Sequence, residues 1–152
     1  VQAIGNGELK GNGLPIFIIG HSRGGASALL AAGRHGSELN LAGVITINAI
    51  DRCLRMTKAD QDDLLDRGYI IDVLLQASKI ACPVCVIHGE QDQAVDLSAG
   101  RAIAKACKTD AIFLDLGNHV LNMPNPSSIE MDRSPQLVET TTSITRFIAK
   151  YT

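Results

Sequence analysis

A short apolar run that breaks into a Gly-x-Ser-x-Gly motif constrains the fold of this chain more than any other feature. Residues 14–19 read Leu-Pro-Ile-Phe-Ile-Ile, and Gly-His-Ser-Arg-Gly follows at residues 20–24, ahead of a stretch of small residues. This order is typical of a buried strand that turns sharply into a helix and holds a serine hydroxyl at the turn. We expect Gly20 and Gly24 to be required there, because a Cβ at either position would clash within so tight a turn.

Ser22 lies at the centre of this motif, where the turn is expected to force an unfavourable backbone conformation. Such strain is retained only where the surrounding structure imposes it, and it is concentrated at functional sites. The start of the following helix also brings free N–H groups and the positive end of the helix dipole close to the serine, which favours developing negative charge. Ser22 is therefore the candidate nucleophile of this chain.

Composition and charge exclude several classes of partner. The chain has 152 residues, with 14 Lys and Arg against 16 Asp and Glu, and this length suits one domain or part of one. Because no Lys- or Arg-rich run is present, we expect neither nucleic acid nor a membrane surface as a partner. The longest apolar runs, near residues 14–19 and 84–87, are too short to cross a bilayer. The sequence leaves the oligomeric state open.

The opening of the chain predicts that it is the C-terminal portion of a longer protein. The first residue is Val1 rather than methionine, and residues 1–13 are rich in glycine. The absence of a leader segment therefore carries no information about targeting.

Four cysteines, Cys53, Cys82, Cys85 and Cys107, raise the question of a metal or a disulfide. Cys82 and Cys85 have the spacing of a ligand pair, but no second pair or nearby histidine cluster completes a site. They also open a predicted strand, in which residues three apart point to opposite faces. We therefore expect free thiols in a core and no metal site, and free thiols favour a reducing cytoplasm.

Four runs dominated by Val, Ile and Leu predict strands that are buried on both faces. They cover residues 15–20, 43–48, 84–88 and 111–116. Helical patterns separate them. One runs over residues 25–34 and is expected to end at Gly33 or Gly36, another covers residues 97–108, and the last starts from Ser134 as N-cap and Pro135 as first helical residue.

A longer segment, residues 51–80, lies between the second and third predicted strands. Thr57 and Asp60 form a capping pair that opens a helix to about residue 66, and residues 69–77 predict a second helix. The whole pattern predicts one α/β domain over residues 1–152, with a parallel sheet, flanking helices, and residues 51–80 as a small helical cap.

Three chemically reactive side chains follow the ends of predicted strands. Ser22 follows the first strand, Asp92 the third and His119 the fourth. Because ligands of parallel α/β sheets bind beyond the carboxyl ends of the strands, we expect these side chains to meet at one edge. A serine hydroxyl needs a neutral imidazole to take its proton, and the imidazole needs a carboxylate on its other nitrogen. His119 is the predicted base and Asp92 the predicted carboxylate.

Other histidines compete for the role of the base. His21 lies inside the turn and is expected to point away from the serine. His88 ends a strand and is expected to be structural or to line the pocket. His35 is expected at a helix end, where it interacts with the last carbonyl groups.

Other acids compete with Asp92. Asp96 is expected to cap the next helix, and Glu90 is near enough to compete. Asp51 is the main rival, because it comes just after the second strand and an acid there could also reach the histidine.

The chain resembles the α/β-hydrolase superfamily in three ordered pieces. These are Gly-His-Ser-Arg-Gly-Gly at residues 20–25, His-Gly-Glu-Gln-Asp at 88–92 and Gly-Asn-His at 117–119, within a match from about residue 14 to the end. They are similar to the serine esterase and acyl-peptidase-like branch rather than to haloalkane dehalogenases, which carry an aspartate nucleophile. The resemblance implies that this chain contains the C-terminal half of the fold, which is strands five to eight of the eight strands in the family's sheet.

The resemblance also implies an activity. It implies a serine hydrolase that cleaves small-molecule carboxylic esters, and also thioesters, amides or short peptides, through an acyl-enzyme and without a cofactor. The backbone N–H of Arg23 is the implied oxyanion donor, while a second donor comes, in the family, from a loop after the third strand, outside the matched part. The loss of one donor costs about a hundred- to a thousandfold in rate, so this piece alone is expected to be weakly active and poorly soluble.

Two alternatives stay open beside this activity. One is a ligand-binding protein of slow turnover on the same scaffold, and the other is an inactive fragment. The role of the Arg23 side chain stays open as well. It either binds a substrate carboxylate or forms a salt bridge under the helix.

Overall fold

Four parallel strands and five helices make up the described part of the chain. The computed structural model describes residues 13–52, 58–67, 72–124, 128 and 131–152. The elements are, in order, β1 (Ile16–His21), α1 (Arg23–Leu39), β2 (Leu41–Ile47), α2 (Lys58–Asp66), α3 (Val73–Ala77), β3 (Val84–Gly89), α4 (Leu97–Cys107), β4 (Ala111–Leu114) and α5 (Pro135–Lys150).

The strands form one sheet in the order β1-β2-β3-β4, and every neighbouring pair is parallel. Ile45 of β2 pairs with Ile19 of β1 on one side and with Cys85 of β3 on the other. Every residue of β3 is buried, as expected for a strand that helices cover on both faces. The same prediction for β1 is wrong: most of its residues are half-buried or exposed, with Ile19 49% exposed, because β1 lies at the edge of the described sheet. The predicted α/β class, with a parallel sheet and flanking helices, is confirmed.

Alternate residues of the central strands point into two separate cores, because side chains along a strand alternate between its faces. Val44, Val84 and Val86 pack with α1, α3 and α4 on one face. The other face packs against α5 and forms the second core, which contains Ile45, Cys85, Ile87, Leu114, Leu137, Ile144, Phe147 and Ile148. The candidate site lies at the carboxyl ends of the strands, between these two cores.

The first helix is longer than predicted. It continues past Gly33 and Gly36 to Leu39 and ends at Asn40, which has a left-handed φ of 48°. Gly33 has a packing role instead of a terminating one. A Cβ there would overlap the carbonyl group of Gln76, so glycine at this position allows α1 to pack closely on α3. The prediction that Gly33 or Gly36 ends this helix is therefore wrong.

Strand boundaries differ from the predicted ones by one or two residues. β2 starts at Leu41 and ends at Ile47, because Asn48 already has a positive φ of 46°. β4 ends at Leu114, since Leu116 has a φ of 54° and belongs to a turn. Positive φ is incompatible with strand geometry, and single-sequence patterns do not reveal it.

Helix caps agree with the sequence where they are described. Asp96 accepts a hydrogen bond from the Ser98 N–H at the start of α4, and Ser134 accepts one from the Leu137 N–H at the start of α5. α3 starts only at Val73, with Asp72 as its cap. The predicted cap Thr57 and the predicted helical residues 69–71 lie outside the described residues. In the described ranges, no helix has both the length and the apolarity that crossing a membrane requires.

Candidate active site

Ser22 lies in a strained turn between β1 and α1. Its φ of 54° and ψ of −121° are unusual for a residue with a side chain, and such a conformation persists only where surrounding contacts impose it. Its N–H donates to the carbonyl oxygen of Ile47 at 2.9 Å, and its own carbonyl accepts from the Gly25 N–H at 3.0 Å. These contacts hold the serine at the carboxyl edge of the sheet.

The structure confirms the predicted steric role of Gly20 in this turn but not that of Gly24. A Cβ on Gly20 would overlap the Gly24 carbonyl group and lie 2.6 Å from the Gly25 nitrogen, so Gly20 is required. A Cβ on Gly24 would meet nothing within 4 Å. The prediction for Gly24 is therefore wrong, because this position faces open space on the first turn of α1. Gly25 has the steric role instead, since a Cβ there would overlap the Cβ of Ala49.

The structure brings Ser22, His119 and Asp92 into one hydrogen-bonded chain. Nε2 of His119 lies 3.1 Å from Oγ of Ser22, and Nδ1 of His119 lies 2.7 Å from Oδ2 of Asp92. The Asp92 side chain is fully buried, whereas that of His119 is 24% exposed. A carboxylate oxygen only accepts, so the His119 proton lies on Nδ1 and Nε2 is free to accept from the Ser22 hydroxyl.

The acid loop, residues 90–96, holds Asp92 in this orientation. Oδ1 of Asp92 accepts from the N–H groups of Ala94 at 2.8 Å and Val95 at 2.9 Å, which leaves Oδ2 for His119. His88 is fully buried beneath the loop, and its Nε2 donates to the Val95 carbonyl at 3.0 Å. This contact gives His88 a structural place under the acid loop, and no hydrogen bond joins it to Ser22 or His119 in the described part.

The histidine loop, residues 115–122, is braced by its own side chains. Oδ1 of Asn118 accepts from the N–H groups of Val120 and Asn122, and Oδ1 of Asn122 accepts from the Asn118 N–H. The loop is also joined to the acid loop, because the Gln91 N–H donates to the Gly117 carbonyl at 2.8 Å. His119 therefore sits on a loop with a defined shape.

Two further side chains bind the backbone of His119, and the sequence reasoning assigned neither to the site. Nδ2 of Asn48 donates to the carbonyl oxygens of Asn118 at 3.1 Å and His119 at 2.9 Å. Nε2 of His21 donates to the same His119 carbonyl at 2.8 Å. The second predicted strand ends at Asn48, so the one signal for this residue is its polarity at the end of an apolar run. His21 was expected to point away from the serine, and it lies against His119, with ring centroids 4.8 Å apart.

The rival acids contact other groups. Asp51 is buried, with its Oδ1 3.9 Å from Nε of Arg52 and without a hydrogen bond. Asp96 caps α4, and its bond with Ser98 lowers the pKa of this carboxyl below its usual 3.8. Glu90 is exposed. In the described ranges, the carboxylate that contacts a ring nitrogen of His119 is that of Asp92.

Arg23 occupies the first helical position of α1. A backbone N–H at this position has no intrahelical acceptor, so it is free to bind a negatively charged oxygen next to Ser22. The guanidinium group of Arg23 is exposed and makes no ion pair with any residue that the structure describes. His35, expected near the last carbonyl groups of α1, lies instead 3.4 Å from the Glu38 carboxylate.

No metal site is found among the described residues: they contain no group of three or more His, Cys, Asp or Glu side chains placed to hold an ion. Cys82, Cys85 and Cys107 are free thiols. Cys53 lies outside the described residues.

Several solved structures share this fold. The esterase domain of a Rhodothermus marinus protein matches with a TM-score of 0.64 and 18% identity, over 90% of this chain and 62% of that chain. Est1E from Butyrivibrio proteoclasticus matches with a TM-score of 0.67 and 19% identity, over 95% of this chain and 65% of that chain. TT1662 from Thermus thermophilus matches with a TM-score of 0.65 and 14% identity, over 97% of this chain and 58% of that chain.

The chain spans about three fifths of the length of these structures. A scan against protein-family models and a search of curated proteins each gave no match. The sheet order, the strained serine turn and the structural matches agree with the resemblance in the sequence. The chain therefore has the fold of the α/β-hydrolase superfamily, over part of the length of its solved relatives.

Proposed function

We propose that the protein is a serine hydrolase that cleaves small-molecule carboxylic esters. The observation that carries this proposal is the hydrogen-bonded chain from the buried carboxylate of Asp92 through His119 to the Ser22 hydroxyl. The same three groups in the same contacts activate serine nucleophiles on unrelated folds.

Each residue has a defined part in the proposed reaction. The Ser22 oxygen attacks the ester carbonyl while Nε2 of His119 takes the hydroxyl proton. Asp92 holds the ring in the tautomer that accepts this proton and stabilises the imidazolium that results. The Arg23 N–H donates to the developing oxyanion, and His119 then returns the proton to the leaving alcohol. Water, activated by His119, releases the acid from the acyl-enzyme.

The esterase neighbours support the class of substrate. The Rhodothermus marinus match is described as an esterase domain, and the Butyrivibrio proteoclasticus protein Est1E has a structure with ferulic acid bound. For this chain we propose only the same class of substrate, which is an ester of a small organic acid or alcohol. A reducing, cytoplasmic location and turnover without a metal are part of the same proposal.

Hydrolysis of p-nitrophenyl esters by the full-length protein tests the proposal. We expect Ser22→Ala to lower turnover by about a thousandfold or more. Ser27→Ala is the matched control, because Ser27 is an exposed serine on α1, close to Ser22 in the chain, and its hydroxyl donates to the Arg23 carbonyl. Equal activity of the Ser22→Ala variant, or a folded wild-type protein that binds esters without cleaving them, would overturn the proposal.

A further inference from the structure

We propose that His21 and Asn48 act as positioning residues that clamp the backbone carbonyl of His119 and thereby fix its ring against Ser22. This inference rests on the proposed function, since the ring position matters only if His119 transfers protons. Neither side chain touches the reacting hydroxyl in the described structure. Both act through His119.

The clamp consists of two donors on one oxygen. Nε2 of His21 approaches the His119 carbonyl at 2.8 Å and Nδ2 of Asn48 approaches it at 2.9 Å. A carbonyl oxygen has two lone pairs, so these two bonds use its full accepting capacity. The peptide group of His119 is thus held by two donors, which fixes the point from which the ring leaves the backbone.

The amide of Asn48 can adopt only one orientation. Its Oδ1 accepts from the Gly89 N–H at 2.8 Å, so its Nδ2 must face the carbonyl oxygens of Asn118 and His119. Asn48 is fully buried, and an inverted amide would leave the Gly89 N–H without this acceptor and turn the Asn48 oxygen toward two carbonyl oxygens. The same reasoning fixes the tautomer of His21, because a carbonyl acceptor requires the proton on Nε2.

Each donor is anchored to an element that carries another part of the site. His21 is the last residue of β1 and directly precedes Ser22. Asn48 follows β2, and its own N–H donates to the Ile87 carbonyl of β3 at 2.9 Å. Its Oδ1 accepts from the N–H of Gly89, the last residue of β3 and the one directly before the acid loop. The clamp therefore joins the serine turn, the acid loop and the histidine loop.

A clamp of this kind affects catalysis because proton transfer depends on distance. The histidine loop is braced internally but consists largely of turns, with positive φ at Leu116, Leu121 and Asn122. Its other bonds to neighbouring segments, from the Gln91 N–H to the Gly117 carbonyl and from the Ser134 hydroxyl to the Leu121 carbonyl, hold residues on either side of His119. The clamp instead ties the His119 peptide group itself to the serine turn. A displacement of about 1 Å from reactive geometry can cost on the order of a hundredfold in rate.

His21 provides the cleanest test, because it is exposed and its replacement leaves the core intact. We expect His21→Phe to lower kcat about tenfold with KM unchanged, as one of two anchoring bonds is lost while the ring shape is kept. His21→Gln retains an N–H donor and should restore kcat to within about threefold of the wild type. His35→Phe is the matched control, since His35 is also exposed and its ring pairs with the Glu38 carboxylate on the same helix.

Asn48→Asp tests the second donor. An aspartate keeps the acceptor for the Gly89 N–H but turns an oxygen toward two carbonyl oxygens, so the bond to His119 is replaced by repulsion. We expect kcat to fall about a hundredfold, again with KM unchanged. Thermal unfolding and circular dichroism identify a variant that fails to fold, and the His21 variants then carry the test.

A proton resonance provides a readout that is independent of turnover. The short bond from His119 Nδ1 to Asp92 should give a low-field NMR signal, which we expect to broaden or shift in His21→Phe and to stay in place in His35→Phe. Wild-type kcat together with an unmoved signal in His21→Phe would overturn the clamp. A wild-type protein without turnover would count against the proposed function instead, and the resonance alone would then decide on the clamp.

Discussion

Gly89 and Gly117 lie in backbone contact at the junction of the acid loop and the histidine loop. A Cβ on Gly89 would overlap the Gly117 carbonyl group and lie 3.2 Å from the carbonyl oxygen of Asn118. The same carbonyl of Gly117 accepts from the Gln91 N–H at 2.8 Å. Two glycines thus allow the loops that carry Asp92 and His119 to meet directly.

We expect Gly89→Ala to destabilise the protein by about 1–3 kcal/mol, because the added methyl group meets rigid backbone that must shift. Urea denaturation followed by circular dichroism measures this change. Gly24→Ala is the matched control: nothing lies within 4 Å of its new Cβ, and it should stabilise the protein by about 0.4–1 kcal/mol through the helix preference of alanine. Equal effects at both glycines would contradict the close contact of the loops.

Asp92→Asn should lower kcat by about ten-thousandfold while the fold is kept. The asparagine oxygen can still accept from Ala94 and Val95, so its N–H group faces Nδ1 of His119. The imidazole is then forced into the tautomer with its proton on Nε2, which cannot take a proton from Ser22. Ester hydrolysis at saturating substrate measures the loss.

Asp51→Asn is the matched variant for this prediction, because Asp51 is the buried rival at the same edge of the sheet. We expect its activity to stay within about threefold of the wild type, since the His119 bond is made by Asp92. A large loss in Asp51→Asn with a mild effect of Asp92→Asn would reverse the assignment of the two acids.

The thiols of Cys85, which is buried, and Cys107, which is half-buried, predict a loss of stability in alkaline solution. Burial raises the pKa of Cys85 and Cys107 from 9.0 to about 11, and at Cys107 the neighbouring Cys82 adds to the rise. Between these two values, the unfolded chain releases thiol protons that the folded chain retains. The free energy of unfolding should therefore fall as the pH rises from 9 toward 11.

Urea denaturation on either side of pH 9 checks this expectation. Because other groups also titrate in alkaline solution, the double variant Cys85→Ala and Cys107→Ala serves as the reference. Its stability should decline less steeply than that of the wild type over the same range. Identical slopes would show that the two thiols do not contribute.

The sequence predicted those features that depend on local pattern. Apolar runs without alternation predicted the four strands, of which β2 and β3 are largely buried and β1 and β4 are not. Asp96, Ser134 and Pro135 predicted two helix starts. The positions of Ser22, Asp92 and His119 after strand ends were also readable, because parallel strands bring their carboxyl ends to one edge. Their catalytic roles stay predictions until activity is measured.

Features that depend on contacts between distant segments were missed. Gly33 looks like a helix end in the sequence, but it allows α1 to pack on Gln76 of α3. Gly24 and Gly25 are indistinguishable in a one-dimensional pattern, and only the position of Ala49 shows which of them is sterically required. The role of Asn48 depends on backbone groups at positions 89, 118 and 119, and no local pattern relates these to residue 48.

Covalent labelling of the folded full-length protein with a fluorophosphonate, followed by peptide mass spectrometry, tests most directly whether Ser22 is an activated nucleophile. We predict an adduct on the Ser22 oxygen that is lost in His119→Ala and strongly slowed in Asp92→Asn, with Ser27 unlabelled in every case. A folded protein that remains unlabelled at Ser22, or whose Ser22 labels equally well without the His119 imidazole, would contradict the proposed chemistry.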